Sequence, residues 1–235
     1  MPLVNPSSAV PLNFQPSVLI NANSTAVTFS ASTLGAASSL VGWFYFIGIN
    51  LSNYSPIWYA GSSPDSQVYY GDGGHASKLT VIKAGTEILI STANLPAINT
   101  GWHFVAITDN GVALKAYVDG VDVGNSVGSY TTMDTMTITK LNQGINSNNY
   151  VGYISECAIF SRALSLAEVT TLYASGDGVY GNVANAPFNS GLVAGWHLNE
   201  GGSATVLDFS GNGHTATLNA GASMWAPLQN IITPP

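Results

Sequence analysis

Trp102-His103-Phe104-Val105-Ala106-Ile107-Thr108, then Leu114-Lys115-Ala116-Tyr117-Val118-Asp119-Gly120, then Gly152-Tyr153-Ile154-Ser155-Glu156-Cys157-Ala158-Ile159-Phe160, decide the fold of this 235-residue chain. Each run is rich in β-branched and aromatic residues, almost free of charge, and bounded by turn formers, which is the signature of a strand. Asp109-Asn110-Gly111 and Asp119-Gly120 read as hairpin turns, because Asn and Gly tolerate the positive φ such turns need. The third run passes straight into a helix signal. Ser165 is an N-cap, Glu168 its reciprocal partner in a capping box, and Leu164 and Val169 a hydrophobic staple. Leu172 and Tyr173 continue the apolar face, and Gly176 and Gly178 stop it. A helix of about three turns at most serves as a lid on a sheet rather than a layer of its own.

Outward from there, short β runs separated by Gly, Asn, Ser and Pro give strands at 26–29, 40–47, 57–60, 67–70, 79–82, 87–91, 103–108, 113–118, 136–140 and 152–160. Residues 1–17 are Pro- and Ser-rich, lack periodicity and read as an extended N-terminal arm. Tails of that composition fray unless held, so the arm is expected to dock on the body or on a neighbouring subunit. The body spans 18–176, a Gly/Asn/Pro-rich connector 177–190, and a second structured segment 191–225, followed by a tail 226–235. That last segment carries strands at 192–198, 205–209 and 215–219. It is too small to fold alone and completes a sheet, either its own chain's or a neighbour's.

The motifs resemble the laminin-G-like, concanavalin-A-like jelly roll. Trp102-His103-Phe104-Val105-Ala106 and the hairpin Leu114 to Gly120 match the family's W-x-H strand and L-x-x-Y-V-[DN]-G turn. Gly152 to Cys157 followed by Phe160-Ser161-Arg162-Ala163-Leu164-Ser165-Leu166-Ala167-Glu168-Val169 matches its strand-to-helix segment, and Trp43 in 40–46 its early aromatic strand. The resemblance covers about 18–175. It implies an all-β, two-sheet antiparallel sandwich with one short helix. Residues 191–218 resemble the strands that open the family's domain, here placed at the other end, so the chain reads as a circular permutation or as the start of a further repeat.

Only 7% of residues are charged, and five basic against twelve acidic groups give a net charge of −7. Ordinary domains carry about 25% charged residues. The surface is therefore one of hydroxyls, amides and backbone, without the lysines that guard sheet edges. Nucleic acid is excluded as a partner, because Arg162 is the only arginine, no cation precedes Lys78, and phosphate binding needs clustered charge. Cys157 stands alone, so no intrachain disulfide forms, and in an apolar strand it reads as a small buried hydrophobe. The first residues have no basic region or long apolar run, so a cleaved leader is not expected there. No stretch is apolar enough to cross a bilayer as a helix.

The chemistry is sparse. Glucanases of this fold use paired carboxylates on one strand, but Glu occurs only at 87, 156, 168 and 200, and none is spaced as such a pair. His103 and His197 each follow a Trp and read as packed, hydrogen-bonded side chains. The resemblance raises calcium at the sandwich rim. Asp208 and Asn212, in Asp208-Phe209-Ser210-Gly211-Asn212-Gly213, are the candidate ligands, with Asx turns as the competing reading. Ser155 and Asn21-Ala22-Asn23-Ser24 replace acidic residues of the family pattern and count against calcium. No other cofactor is indicated. The richest ligand-facing stretch is 53–75, where Trp58, Tyr70, Asp72 and His75 are the candidate binding residues and Tyr59 and Tyr69 lie beside them. Strand alternation turns half of these aromatics inward.

These readings define a non-catalytic binding or structural module. The first expectation is a virion surface protein, such as a phage capsid decoration or fibre component. It would be oligomeric, assembled through its arms with other subunits, and would carry a glycan-adhesion face. The alternative is a secreted or cell-surface carbohydrate-binding module, and an endo-glucanase is the remote third. None involves nucleic acid or membrane insertion, and the expected location is a virion surface or extracellular.

Overall fold

The computed structural model describes residues 17–21, 25–49, 54–61, 65–71, 74–126, 130–142, 150–173 and 188–226. The arm 1–16, most of the connector and the tail 227–235 lie outside these. In chain order the strands are β1 (Val18–Ile20), β2 (Val27–Thr33), β3 (Ala37–Gly48), β4 (Pro56–Tyr59), β5 (Gln67–Tyr70), β6 (Leu79–Lys83), β7 (Thr86–Ser91), β8 (Trp102–Asn110), β9 (Leu114–Val118), β10 (Val121–Ser126), β11 (Thr137–Leu141) and β12 (Val151–Phe160). Helix α1 (Leu166–Tyr173) follows, then β13 (Leu192–Trp196), β14 (Thr205–Val206) and β15 (Ala216–Leu218).

Every pairing is antiparallel, and the ladder runs β1-β12-β3-β8-β9-β10-β7-β6-β5-β4-β11-β2-β15-β14, with β13 also on β12. The ribbon folds over at β10–β7. That brings Phe46 of β3 onto Tyr70 of β5, ring centroids 4.6 Å apart, and Phe29 of β2 onto Trp196 of β13, 4.2 Å apart. Neither pair of strands is hydrogen-bonded, so these are contacts between two facing layers. This is a jelly-roll sandwich, with one apolar core between the layers drawn from both.

The first layer (β12, β3, β8, β9) is buried on both faces, which is why its strands read as near-continuous apolar runs rather than alternating ones. Along β3, Leu40, Phe44 and Phe46 enter the inter-layer core, while Val41 and Trp43 point outward under α1. Val169 and Leu172 of the helix close that outer face with Phe104, Tyr117 and Phe160, and Tyr173 stacks on Trp43 at 5.9 Å. The capping box forms. Ser165 N donates to Glu168 Oε2 at 2.8 Å, and Glu168 N donates to Ser165 Oγ at 3.3 Å. Arg162 clamps the same carboxylate through both terminal nitrogens, at 3.1 and 2.6 Å. Its guanidinium, with the Ser165 hydrogen bonds, holds Glu168 well below the usual carboxylate range, at about 2.

Both ends of the described chain finish one strand. β1 pairs with the first half of β12 (Val18 opposite Ile154), and β13 pairs with the second half (Trp196 opposite Cys157). β15 pairs with β2 (Leu218 opposite Val27). The C-terminal segment thus completes the sheet of its own chain. Between the two halves of β12 lies a bulge, where Ser155 opposes Trp43 but Ala158 opposes Val41. The extra residue is Glu156, at φ 46°. Simple alternation from Ile154 would drive this carboxylate into the core; the bulge re-aims it. Cys157 takes the core position instead, with its Sγ where a Cβ on Gly42 would sit, 2.6 Å away, so Gly42 cannot take a side chain without displacement.

Two strands were not anticipated. β1 is three residues long and exists through its pairing with β12. β10 carries Asp122, Gly124 and Asn125, so it shows no apolar period, and its order comes from bonding to β9 and β7.

Candidate functional site

The outer face of the second layer differs from that of the first. β5 and β6 pair without irregularity, Gln67 opposite Ile82 and Tyr69 opposite Thr80. Val68, Tyr70, Leu79 and Val81 fill the inter-layer core, so Gln67, Tyr69, Thr80 and Ile82 face outward. Tyr59 of β4 lies opposite Gln67, and Lys140 of β11 opposite Tyr59, its ammonium 5.4 Å from the ring centre. Glu87 of β7 lies opposite Ile82 and accepts from the Tyr69 hydroxyl at 3.3 Å. Tyr54 covers Tyr69, centroids 4.7 Å apart.

This face combines tyrosines with polar groups that the protein leaves unsatisfied. Gln67 and Thr80 have no exposed surface. Yet Gln67 Oε1, Thr80 Oγ1 and Asp65 Oδ1 are buried without a hydrogen-bond partner. The other half of each group is committed where it can be, since Gln67 Nε2 donates to Asp65 Oδ2 at 2.8 Å. Burial pushes the Asp65 carboxyl above its ordinary value, against a backbone hydrogen bond from Ser66. Burial, with Asp65 nearby, raises the Tyr59 phenol. Each unsatisfied buried polar atom costs about 1–3 kcal/mol, and such atoms in a folded protein call for an explanation. Tyr69 likewise has no exposed surface, and Ile82 and Tyr59 are 4% and 8% exposed, so the cluster is closed to solvent in this structure.

Trp58 has no exposed surface and Tyr70 is 3% exposed; both point into the inter-layer core, and the Tyr70 hydroxyl donates to Pro96 O at 2.7 Å. Neither offers a surface to a ligand. Asp72 lies outside the described residues. His75 does border the outer face, its Nδ1 3.4 Å from Glu87 Oε1. Tyr59 and Tyr69, the adjacent members of each aromatic pair, are the ones that turn outward. A bulge between Pro56 and Trp58 sets this parity, and nothing in Pro56-Ile57-Trp58-Tyr59 announces it.

The rim turn at Asp208 is held by its own backbone. Asp208 accepts from Gly195 N and Ser210 N at 3.0 and 2.9 Å on one oxygen, and from His214 N at 2.8 Å on the other. Burial works against its ionisation, but these bonds and that of Ser210 outweigh it and lower the carboxyl. Asn212 turns its amide nitrogen inward to Leu192 O and Val193 O at 3.0 and 2.9 Å. This is turn scaffolding, and the donor set does not fit a hard cation. Among the described residues no three His, Cys, Asp or Glu side chains group as a metal site.

The histidines and glutamates are tied into the framework. His103 Nδ1 meets Asp119 Oδ2 at 2.7 Å. His197 Nδ1 meets both oxygens of Glu156, at 3.0 and 2.9 Å, and its ring stacks on Phe209 at 4.3 Å. Burial raises the Glu156 carboxyl despite His197. Glu200 accepts from Asn199 N and Leu207 N. One anchor had no sequence signal: Asp109, fully buried, accepts from Tyr130 Oη, Thr132 Oγ1 and Met133 N at 2.5, 2.9 and 2.6 Å, strapping the segment before β11 to the end of β8.

Two facing antiparallel layers, a helical lid on one and a polar, tyrosine-lined outer face on the other, define a lectin-type sandwich. The family model described as the concanavalin A-like lectin/glucanases superfamily matches residues 21–170, and the chain belongs to that family. Among solved structures, a protein from Bacteroides ovatus described as carbohydrate-binding superposes with a TM-score of 0.68 at 16% identity, covering 96% of this chain and 63% of that one. This chain therefore spans less than two thirds of that relative's length. Domain 4 of an extracellular arabinanase from Geobacillus stearothermophilus, solved with arabinotriose, gives 0.54 at 15% identity over 66% of this chain and 75% of the domain. A heptameric pentraxin from Limulus polyphemus gives 0.52 at 16% identity over 71% and 85%. At these identities the likeness is one of fold. No curated protein sequence matches the chain. Among the described residues no helix is long and apolar enough to cross a membrane.

Proposed function

We propose that this protein is a non-catalytic, extracellular or surface glycan-binding module. The observation that carries the reading is the two-layer antiparallel sandwich of the concanavalin A-like lectin/glucanases superfamily. The fold relatives described as carbohydrate-binding, or solved with arabinotriose, favour the same class of ligand. A glucanase reading lacks support from the carboxylates. Glu156 is bound to His197, Glu168 to Arg162, Glu87 to Tyr69, and Glu200 to backbone amides. The test is a glycan array probed with the full chain, followed by calorimetric titration of the hits. Saturable binding without hydrolysis supports the reading. Hydrolysis of a β-glucan that disappears in Glu156→Gln contradicts it.

A second reading, a virion surface subunit such as a capsid decoration or fibre component, is favoured by the charge content of 7%. So uncharged a surface leaves sheet edges unguarded against neighbours. In this reading the arm 1–17, most of which lies outside the described residues, and the tail join subunits. Light scattering that gives a monomer at all concentrations contradicts it; a discrete oligomer supports it.

A further inference from the structure

We infer that Asn212-Gly213, at the tip of the Asp208 turn, is where the folded chain deamidates spontaneously, while the other Asn-Gly pair, Asn110-Gly111 in the β8–β9 hairpin, is protected by its hydrogen bonds. The chain has only these two Asn-Gly pairs. In the reaction the backbone nitrogen of the glycine loses its proton to solvent base and bonds to the asparagine Cγ. The Cγ–Nδ2 bond breaks and ammonia leaves. Water then opens the cyclic imide at either carbonyl, giving aspartate or isoaspartate. Glycine makes the attack easiest, because it brings no side chain against the ring and leaves the backbone free to rotate.

The two pairs share a sequence and differ in what holds the reacting atoms. At the hairpin, the Gly111 nitrogen that must attack donates to Asp109 Oδ1 at 3.0 Å, and Asp109 is fully buried. The Asn110 carbonyl is held as well, its Oδ1 accepting from Val112 N and Ala113 N at 2.9 and 2.7 Å. At the turn, Asn212 and Gly213 are both exposed. Among the described residues, neither Gly213 N nor Asn212 Oδ1 meets a hydrogen-bond partner. Gly213 sits at φ 86°, with nothing within 4 Å of where a Cβ would be apart from its chain neighbours. Freeing Gly111 N from a buried carboxylate forfeits a charge-assisted hydrogen bond, which slows attack there by at least about tenfold relative to the turn. The consequence falls on β13. Asn212 Nδ2 donates to Leu192 O and Val193 O at 3.0 and 2.9 Å, tying the turn to that strand through the nitrogen that departs. Deamidation sets a carboxylate oxygen against two carbonyl oxygens, in a turn that already carries Asp208. An acceptor cannot replace a donor there, so the product loses its link to the strand that pairs with the second half of β12.

The experiment is incubation of the full chain in warm, mildly alkaline buffer, folded and in parallel in urea, with peptide mass mapping of both Asn-Gly sites and of isoaspartate over time. In the folded chain Asn212 should convert at least about tenfold faster than Asn110. In urea, where both are freed, the two rates should come together. Asn212→Asp, which copies one product, should fold and melt several degrees below the parent. Equal conversion of the two sites in the folded chain, or faster conversion at Asn110, overturns the assignment. So does a folded chain that loses neither amide while both are lost in urea. A ratio that persists in urea puts the difference in local sequence and overturns the hydrogen-bond protection. Asn212→Asp melting with the parent overturns the consequence for β13 and leaves the site of deamidation standing.

Discussion

The outer faces of the two layers are built from similar strands and finished in opposite ways. On the first, Trp43, Phe104, Tyr117 and Phe160 are closed over by Val169 and Leu172 of the helix, and the ions that hold the lid are fully paired. On the second, Tyr59 and Tyr69 lie among Gln67, Thr80 and Asp65, whose acceptors are left unsatisfied. The first face is finished for stability. The second retains the cost of unpaired buried acceptors, about 1–3 kcal/mol each.

Mutations should therefore have opposite signs on the two faces. Trp43→Ala removes a ring held between Phe104 and Tyr173, centroids 5.5 and 5.9 Å away; urea unfolding should show a loss of about 3–5 kcal/mol. A loss below about 1 kcal/mol would mean that the helix does not seal this face. Ser165→Ala opens the capping box and should cost about 1 kcal/mol by the same measurement. Thr80→Val on the other face should leave stability unchanged or raise it, by up to about 1 kcal/mol, since it deletes a hydroxyl with no partner. A clear destabilisation there would remove the contrast.

Acid sharpens the same comparison. Glu168 titrates at about 2 in the folded chain, below its ordinary 4.5. Its contribution is complete above the ordinary value and is lost as pH falls from about 4.5 towards 2. Asp65 is raised by burial from 3.8, so its contribution is present at low pH and is lost as pH rises through the folded-state value. Fluorescence of Trp43 beside the helix should change below pH 4.5, and Glu168→Gln should flatten that response. Asp65→Asn should instead weaken the loss of stability on the rising side. An acid response unaltered by Glu168→Gln would contradict the helix clamp.

Much of this architecture was legible because it is written in local chemistry. The hairpin turns at Asn110-Gly111 and Asp119-Gly120, the capping box at Ser165 and Glu168, and thirteen of the fifteen strands follow from residue type and spacing. The illegible part depends on register. A bulge before Trp58 decides that Tyr59 and not Trp58 turns outward, and a bulge at Glu156 takes its carboxylate out of the core to meet His197. Adjacent aromatics such as Trp58-Tyr59 and Tyr69-Tyr70 satisfy either parity, so the sequence does not resolve which ring of each pair faces out. Asp109 as a strap was hidden for another reason: its partners Tyr130, Thr132 and Met133 lie more than twenty residues away.

The most direct measurement is a nitrogen-15 NMR titration of the full chain with a neutral tetrasaccharide, following the backbone amides and the indole N–H of Trp43. If the chain is a glycan-binding module, a contiguous set of amides shifts in a saturable way while Trp43, buried under the helix, stays still. A spectrum unchanged at saturating tetrasaccharide would contradict it.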